Sequence, residues 1–84
     1  MRFGQTLTAT VGNGYWIVLE QDFGGYWTLL VWGSHPLREK LGWVSEEEAK
    51  RQSLAAAKRH LEQLGFTGEL PDVLWRVAIR QMVA

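Results

Sequence analysis

Apolar side chains recur at every second position in the first part of the chain, and Thr residues fill several of the positions between them. One side of the pattern consists of Phe3, Gln5, Leu7, Ala9 and Val11, of which all but Gln5 are apolar. A period of two with β-branched residues on the polar side is typical of a half-buried strand. Asn13-Gly14 then separates this run from the next one. Because a type I′ turn needs two residues with positive φ, Asn-Gly at this place predicts a β-hairpin.

Two further strands are predicted over residues 15–21 and 26–32, joined by a turn at residues 22–25. The segment 33–36 ends with Pro36, which cannot donate a hydrogen bond to a strand ladder, so we expect the third strand to end there. Residues 41–44 are apolar and short. We interpret them as a fourth strand or as an extension of the sheet edge.

A helix is predicted over about residues 46–64. Ser45 and Glu48 have the spacing of a capping box, three glutamates favour the positive end of the helix dipole, and Gly65 is a typical residue just after a helix. The apolar stripe of this helix is dominated by small residues, so the helix can approach a sheet closely. The stripe consists of Ala49, Ser53, Leu54, Ala56, Ala57, Leu61 and Leu64.

The tail supports two interpretations. Val73, Trp75, Val77 and Ile79 alternate as in a strand, whereas Pro71-Asp72 is a good helix start and apolar residues recur on one helical side. We favour a C-terminal helix over about residues 71–83, with a strand as the alternative.

Both faces of the predicted sheet carry apolar residues, although one helix covers only one face. The first face consists of Leu7, Ala9, Val11, Tyr15, Ile17, Leu19, Trp27, Leu29 and Val31. The second carries Trp16, Val18, Tyr26, Leu30 and Trp32. Either the tail covers the second face, with Trp75 near Trp16 or Trp32, or part of that face stays open for a partner or a second copy.

The composition limits the class of protein. With 84 residues, 46% of them hydrophobic, and five Trp, the chain is long enough for one domain over residues 1–84 and rich enough in apolar side chains to form a core. It has no Cys, which excludes disulfides and thiol catalysis and fits a reducing compartment. No apolar run approaches the ~18 residues of a membrane span. We therefore expect a cytoplasmic α+β protein with a three- or four-stranded antiparallel sheet.

Catalysis has little support in the sequence. Ser34 and His35 are adjacent in a turn, where side chains rarely aim at one another, and no acid is placed to orient the histidine. The two histidines, His35 and His60, do not have the spacing of a metal site. We expect no catalytic residues, no metal and no cofactor.

Nucleic-acid binding is an alternative from a different class. Trp16, Tyr26 and Trp32 could stack on bases, and Lys or Arg side chains of the helix and tail could contact phosphates. The formal net charge of +0 argues against it, because counterion release needs an excess of basic groups.

Four segments carry a family resemblance: Tyr15-Trp16-Ile17-Val18, Asp22-Phe23-Gly24-Gly25, Tyr26-Trp27 and Gly42-Trp43-Val44-Ser45-Glu46-Glu47-Glu48-Ala49. Through them, residues 15–61 resemble the β-β-β-α core of HicB-like antitoxins and related double-stranded-RNA-binding-like domains. The size and element order also resemble small phage-encoded inhibitors such as anti-CRISPR proteins. These resemblances imply a domain that blocks a protein or a nucleoprotein complex by binding to its surface.

We therefore expect a non-enzymatic binding module that inhibits or sequesters a macromolecular partner. Aromatic and Arg side chains dominate the energetics of protein interfaces. The candidate anchors are Trp16, Tyr26, Trp32, Trp75, Arg76 and Arg80. The expected partner is a protein or a nucleoprotein complex, with nucleic acid alone as the alternative. We expect no membrane partner, and a homodimer through the second sheet face stays open.

Overall fold

A five-stranded antiparallel sheet and one helix make up the computed structural model, which describes residues 4–68, 70 and 73–78. The elements are β1 (Thr6–Gly12), β2 (Tyr15–Gln21), β3 (Trp27–Trp32), β4 (Leu37–Gly42), α1 (Glu46–Gln63) and β5 (Arg76–Val77). The strand order is β4-β3-β2-β1-β5, so β1 to β4 form a meander and β5 adds at the far edge. The predicted α+β class and the predicted helix packed on an antiparallel sheet are confirmed.

The first two connections follow the turn chemistry of the sequence. At the β1–β2 hairpin, Asn13 has a φ of 57° and Gly14 a φ of 78°, as the Asn-Gly pair predicts. At the β2–β3 connection, Oδ1 of Asp22 accepts hydrogen bonds from the backbone N–H groups of Gly24 and Tyr26, at 2.9 and 3.0 Å. The Asp side chain thus replaces missing backbone partners in the turn.

The fourth strand is longer than the sequence suggests and starts earlier, directly after Pro36. It spans Leu37–Gly42 rather than residues 41–44, and it pairs with β3 from Val31↔Leu37 to Trp27↔Gly42. Its centre, Arg38-Glu39-Lys40, is charged because β4 is an edge strand that faces solvent, and such charges hinder edge-to-edge aggregation. Because these charged residues interrupt the apolar pattern, the sequence did not predict the start of this strand.

The helix matches its prediction closely. Ser45 is the N-cap, and its Oγ accepts a hydrogen bond from the backbone N–H of Glu48 at 3.1 Å. At the other end Gly65 has a φ of 95°, a conformation that favours glycine over other residues. Five positions of the predicted stripe are buried, namely Ala49, Ser53, Ala56, Ala57 and Leu61, and Leu54 and Leu64 pack against the core.

The side of the sheet that α1 covers is here called the inner face. All nine residues assigned to the first face by the sequence are buried there, among them Ile17, Leu19, Leu29 and Val31 at 0% exposure. The small residues of α1 let these large side chains fill the space between helix and sheet. The core therefore consists of one layer between the inner face and α1.

The tail differs from the favoured prediction of a C-terminal helix. Residues 73–78 contain no helix, and Arg76–Val77 form β5, which pairs antiparallel with β1 through Leu7↔Val77 and Thr8↔Arg76. The strand alternative holds for these residues, since the open edge of β1 offers backbone partners that a helix would leave unpaired. The remaining residues of the predicted helix, 71–72 and 79–83, lie outside the described part.

Candidate functional site

The sheet surface opposite α1 is here called the outer face, and it consists of three rows of side chains that run across the strands. The register places Trp32, Trp16 and Thr10 in the first row. The second row is Arg38, Leu30, Val18, Thr8 and Arg76. The third is Lys40, Thr28, Glu20 and Thr6. Residues directly opposite one another in an antiparallel sheet point to the same face, so each row is continuous.

The first row places two tryptophans side by side. Trp16 of β2 is the direct partner of Trp32 of β3, and the side chains are 45% and 43% exposed. Opposite residues have Cβ atoms about 4.5–5.5 Å apart, so the two indoles are neighbours on the same face of the sheet. No element within the described residues lies over this surface.

The second row has an arginine at each end and an apolar centre. Arg38 on β4 and Arg76 on β5 are exposed, whereas Leu30 and Val18 between them are half-buried. At about 4.8 Å per strand spacing, the four spacings put the two Arg backbones roughly 19 Å apart. The outer face is therefore an apolar and aromatic strip with cations on both sides.

The charges are distributed unevenly over the molecule. The three rows contain Arg38, Lys40 and Arg76 against Glu20 alone. On α1, in contrast, Glu46, Glu47, Glu48 and Glu62 balance Lys50, Arg51, Lys58 and Arg59. Asp22 lies beyond the rows, in the β2–β3 turn. The outer face is thus locally cationic although the whole chain has a formal net charge of +0.

A groove beside the tryptophans continues the outer face. It has a volume of about 410 Å³ and is lined by Leu30, Trp32, Pro36, Leu37 and Arg38, together with Glu20 and Val31. Its walls combine an indole, aliphatic side chains, the guanidinium of Arg38 and the carboxylate of Glu20. Such a groove suits a flat apolar or aromatic group.

The structure separates the six predicted anchors. Trp16, Trp32 and Arg76 lie on the outer face as described. Tyr26 is half-buried at the opposite end of β3, where its ring makes an edge contact with Trp43 at a centroid distance of 4.8 Å. Arg80 lies outside the described residues. Tyr26 is therefore about six residues, or roughly 20 Å of strand, from Trp32.

Trp75 lies on the other side of the sheet from the tryptophan pair, which contradicts the predicted packing against Trp16 or Trp32. It packs with the core beneath α1, and Nζ of Lys50 lies 5.9 Å from the centroid of its ring. The reason is the strand direction of the tail, because β5 sends Arg76 to the outer face and its neighbours in the chain to the other side.

Sequence reasoning missed Arg38 and Lys40 as members of this surface. Both lie on β4, which the apolar pattern placed too late in the chain. The alternation Leu37, Glu39, Leu41 against Arg38 and Lys40 was the available signal. It becomes informative only when the pairing with Leu30 and Thr28 is known.

A polar cluster joins the β3–β4 connection to the core. Oγ of Ser34 lies 2.9 Å from the Tyr15 hydroxyl, which also accepts a hydrogen bond from the backbone N–H of His35 at 3.1 Å. Contrary to the sequence argument, Ser34 and His35 do approach each other, with Oγ 3.2 Å from Nδ1. Nε2 of His60 donates to the carbonyl oxygen of His35 at 2.5 Å. The cluster ties a loop to the end of α1.

Two side chains near the start of α1, Glu48 and Arg51, have shifted pKa values. The guanidinium of Arg51 bonds the Glu48 carboxylate, Gln52 donates to the same carboxylate at 2.8 Å, and together they lower the pKa of Glu48. The Glu48 carboxylate in turn raises the pKa of Arg51. Among the described residues, no three His, Cys, Asp or Glu side chains gather closely enough to hold a metal ion.

Comparison with family models, with curated proteins and with solved structures finds no match to this chain. Within the part of the chain that the structure describes, α1 lacks the apolar length needed to cross a membrane. The function is therefore inferred from the geometry of the outer face.

Proposed function

We propose that the chain is a cytoplasmic, non-enzymatic binding module that captures a macromolecular partner on its outer face. The observation that carries the proposal is the pair Trp16 and Trp32, which lie next to each other with nearly half of each side chain exposed. Tryptophan and arginine are the residue types most enriched among interface hot spots. The outer face combines both types within one strip.

The core does not need this pair. The inner face already buries Trp27, Tyr15 and seven aliphatic side chains at 4% exposure or less, and α1 adds four more. Trp16 and Trp32 lie on the opposite side of the sheet, where Val18 and Leu30 extend the apolar area. Contiguous apolar patches on a small domain usually mark an interaction site. A role in partner binding accounts for their position better than a role in the core.

Capture would itself be the activity, as it is in small inhibitors and antitoxins. A partner surface that is covered by the outer face is no longer accessible to its own ligand, so the bound state is inhibited or sequestered. The resemblance to phage-encoded inhibitors and HicB-like antitoxins is consistent with this mode of action, which requires shape and charge complementarity rather than chemistry.

The test is affinity capture from a lysate of the native host with the tagged chain and two variants. The double variant Trp16→Ala/Trp32→Ala should lose the captured partner. Trp43→Ala removes an equally large, 74% exposed indole beyond the three rows and serves as the matched control. Circular dichroism and thermal melting should show that all three proteins are folded.

Retention of the partner by the folded double variant would contradict the proposal. The same conclusion would follow if Trp43→Ala removed the partner as completely as the double variant does. A partner bound in a nuclease-treated lysate would identify a protein, and a partner bound only without nuclease would identify a nucleic acid or a nucleoprotein.

A further inference from the structure

We infer that the occupant of the outer face is a single-stranded nucleic acid, with bases stacked on Trp16 and Trp32 and phosphates beside Arg38, Lys40 and Arg76. This inference rests on the proposed function and makes it more specific. It is carried by the arrangement of the three rows, in which the tryptophan pair lies in the first row and the three cations lie at the ends of the second and third. The chemistry that it requires is a flexible anionic strand with exposed planar bases.

The tryptophan pair supplies the aromatic surface on which bases would stack. Proteins that bind single strands place successive bases on aromatic rings, and the interaction tolerates any sequence because every base has a π face. Trp16 and Trp32 offer two adjacent indoles on a sheet, and the groove beside Trp32 has room for a further planar group next to Arg38. The outer face thus presents a stacking platform and not an isolated aromatic residue.

The outer face carries an excess of positive charge although the whole chain has a formal net charge of +0. A net charge of +0 argues against nucleic acid only if the charges are evenly spread. They are not, because α1 is internally balanced and pairs Lys50 with Glu46 at 3.0 Å, and Arg51 with Glu48. The surplus of cations lies on the outer face, at both margins of the strip.

A single strand fits this surface better than a duplex does. In a duplex the bases are stacked inside, and sequence or shape is read by elements that enter a groove. The outer face is the pleated surface of a sheet, and its tryptophans can reach only bases that are turned outward. An extended strand could run along the aromatic strip while its phosphates remain near the flanking cations.

A second copy of the chain is a poorer occupant. Face-to-face pairing of two outer faces would bring Arg38, Lys40 and Arg76 of each copy close together, with Glu20 as the only carboxylate of the rows on either side. Like charges placed opposite each other in an apolar interface are unfavourable. An anionic partner would instead neutralise these cations, whereas a second copy would double the number of positive charges in the interface.

The direct test is fluorescence anisotropy with labelled oligo-dT and oligo-U of about 12 nucleotides, within the usual site sizes of single-strand binders. Three phosphate contacts predict that log K falls with log salt at a slope of about −2 between about 50 and 200 mM. Trp32→Ala should weaken binding by roughly 5- to 150-fold, and Trp32→Phe, which retains a ring, by less.

Arg38→Gln and Arg59→Gln form a matched pair of variants that tests how much the cations of the outer face contribute to oligonucleotide binding. Both arginines are exposed, but Arg38 lies on the outer face and Arg59 on α1. Arg38→Gln should weaken binding and reduce the salt slope by about 0.7, while Arg59→Gln should leave the slope unchanged. A blunt-ended duplex of the same length should bind at least several-fold more weakly.

Three results would overturn the inference. These are no binding of either oligonucleotide at about 50 mM salt, equal effects of Arg38→Gln and Arg59→Gln, or equally strong competition by a poly-glutamate peptide. Light scattering that shows a dimer, broken by Trp16→Ala/Trp32→Ala, would assign the face to a second copy. With any of these results, a nuclease-resistant partner that is captured through Trp16 and Trp32 would still support the broader proposed function. If no such partner were captured either, the proposed function would be contradicted together with the inference.

Discussion

Oγ of Ser34 lies 2.9 Å from the Tyr15 hydroxyl, so a residue of the β3–β4 connection bonds to a side chain of which only 2% is exposed. The same hydroxyl accepts the backbone N–H of His35. The phenol oxygen therefore links the loop to the core, in addition to the bond between His60 and the His35 carbonyl. The position of the loop matters for function as well, because the loop leads into β4, which carries Arg38 and Lys40.

Tyr15→Phe should lower the free energy of unfolding by about 1–2 kcal/mol, because it leaves the Ser34 and His35 groups without this partner while the ring still fills its site. Urea denaturation followed by Trp fluorescence measures the change. Tyr26→Phe, which removes a hydroxyl from a half-buried ring at the other end of β3, is the control and should change stability less. Equal effects of the two variants would argue against the phenol bond.

Gly33→Ala should destabilise the fold because a Cβ at position 33 would overlap the ring of Tyr15. Overpacking of this kind typically costs about 1–3 kcal/mol. Gly24→Ala is the matched control, since its Cβ would meet only Oδ1 of Asp22 at an ordinary 3.5 Å. Thermal melting should show a clear drop for position 33 and a small change for position 24. A Gly33→Ala protein as stable as the parent would refute the close approach.

Ser45→Ala should cost about 0.5–2 kcal/mol, because the backbone N–H of Glu48 loses the hydroxyl that accepts its hydrogen bond at the start of α1. Ser45→Asp should retain most of the stability, since Asp is an equally good N-cap. The comparison by chemical denaturation separates capping from other effects of the position. If the Asp variant were as unstable as the Ala variant, capping would not be the cause.

The pH dependence of stability should include a contribution from Glu48. Its pKa is lowered in the folded state by Arg51 and Gln52, so its stabilisation is present above the ordinary Glu pKa of about 4.3 and is lost as pH falls through the lowered value. Glu48→Gln should therefore show a shallower loss of stability on acidification. Glu47→Gln removes a neighbouring exposed charge and is the control in the same pH series.

Trp32→Ala should destabilise the chain much less than Trp27→Ala. Trp27 is 1% exposed and Trp32 is 43% exposed, and truncation of a fully buried Trp typically costs about 3–5 kcal/mol. Urea denaturation measures the free energy of unfolding of both variants. A Trp32→Ala variant that lost as much stability as Trp27→Ala would show that the outer indole belongs to the core, which would weaken the case for a binding role.

The sequence predicted the inner face correctly because burial on one side of a strand leaves a period of two that can be read directly. The nine residues predicted for the inner face, of which Leu7 is the first and Val31 the last, are all buried. The helix begins and ends within one residue of its predicted limits. The sequence pattern predicted the tail and β4 less well. In both cases the residues are polar or near an edge, so local pattern carries little information about pairing.

The surface for a partner could be predicted only in part. Trp16 and Trp32 followed from strand alternation, and they do lie together. Trp75 could not be placed, because its side depends on which edge of the sheet the tail joins. Arg38 became visible as a neighbour of Leu30 only through the register of β4.

By itself, the sequence determined the strands β1 to β3, the turns between them, the limits of α1 and the two-sided character of the sheet, since these depend on residues close together in the chain. The tertiary structure decided that the tail pairs with the free edge of β1, which puts Trp75 against the core, and that Arg38, Lys40 and Arg76 lie on the same face as the tryptophans. The physical reason is that strand pairing joins residues far apart in sequence through backbone hydrogen bonds, which carry no side-chain signature. A chain with a formal net charge of +0 thereby acquires a cationic, aromatic face.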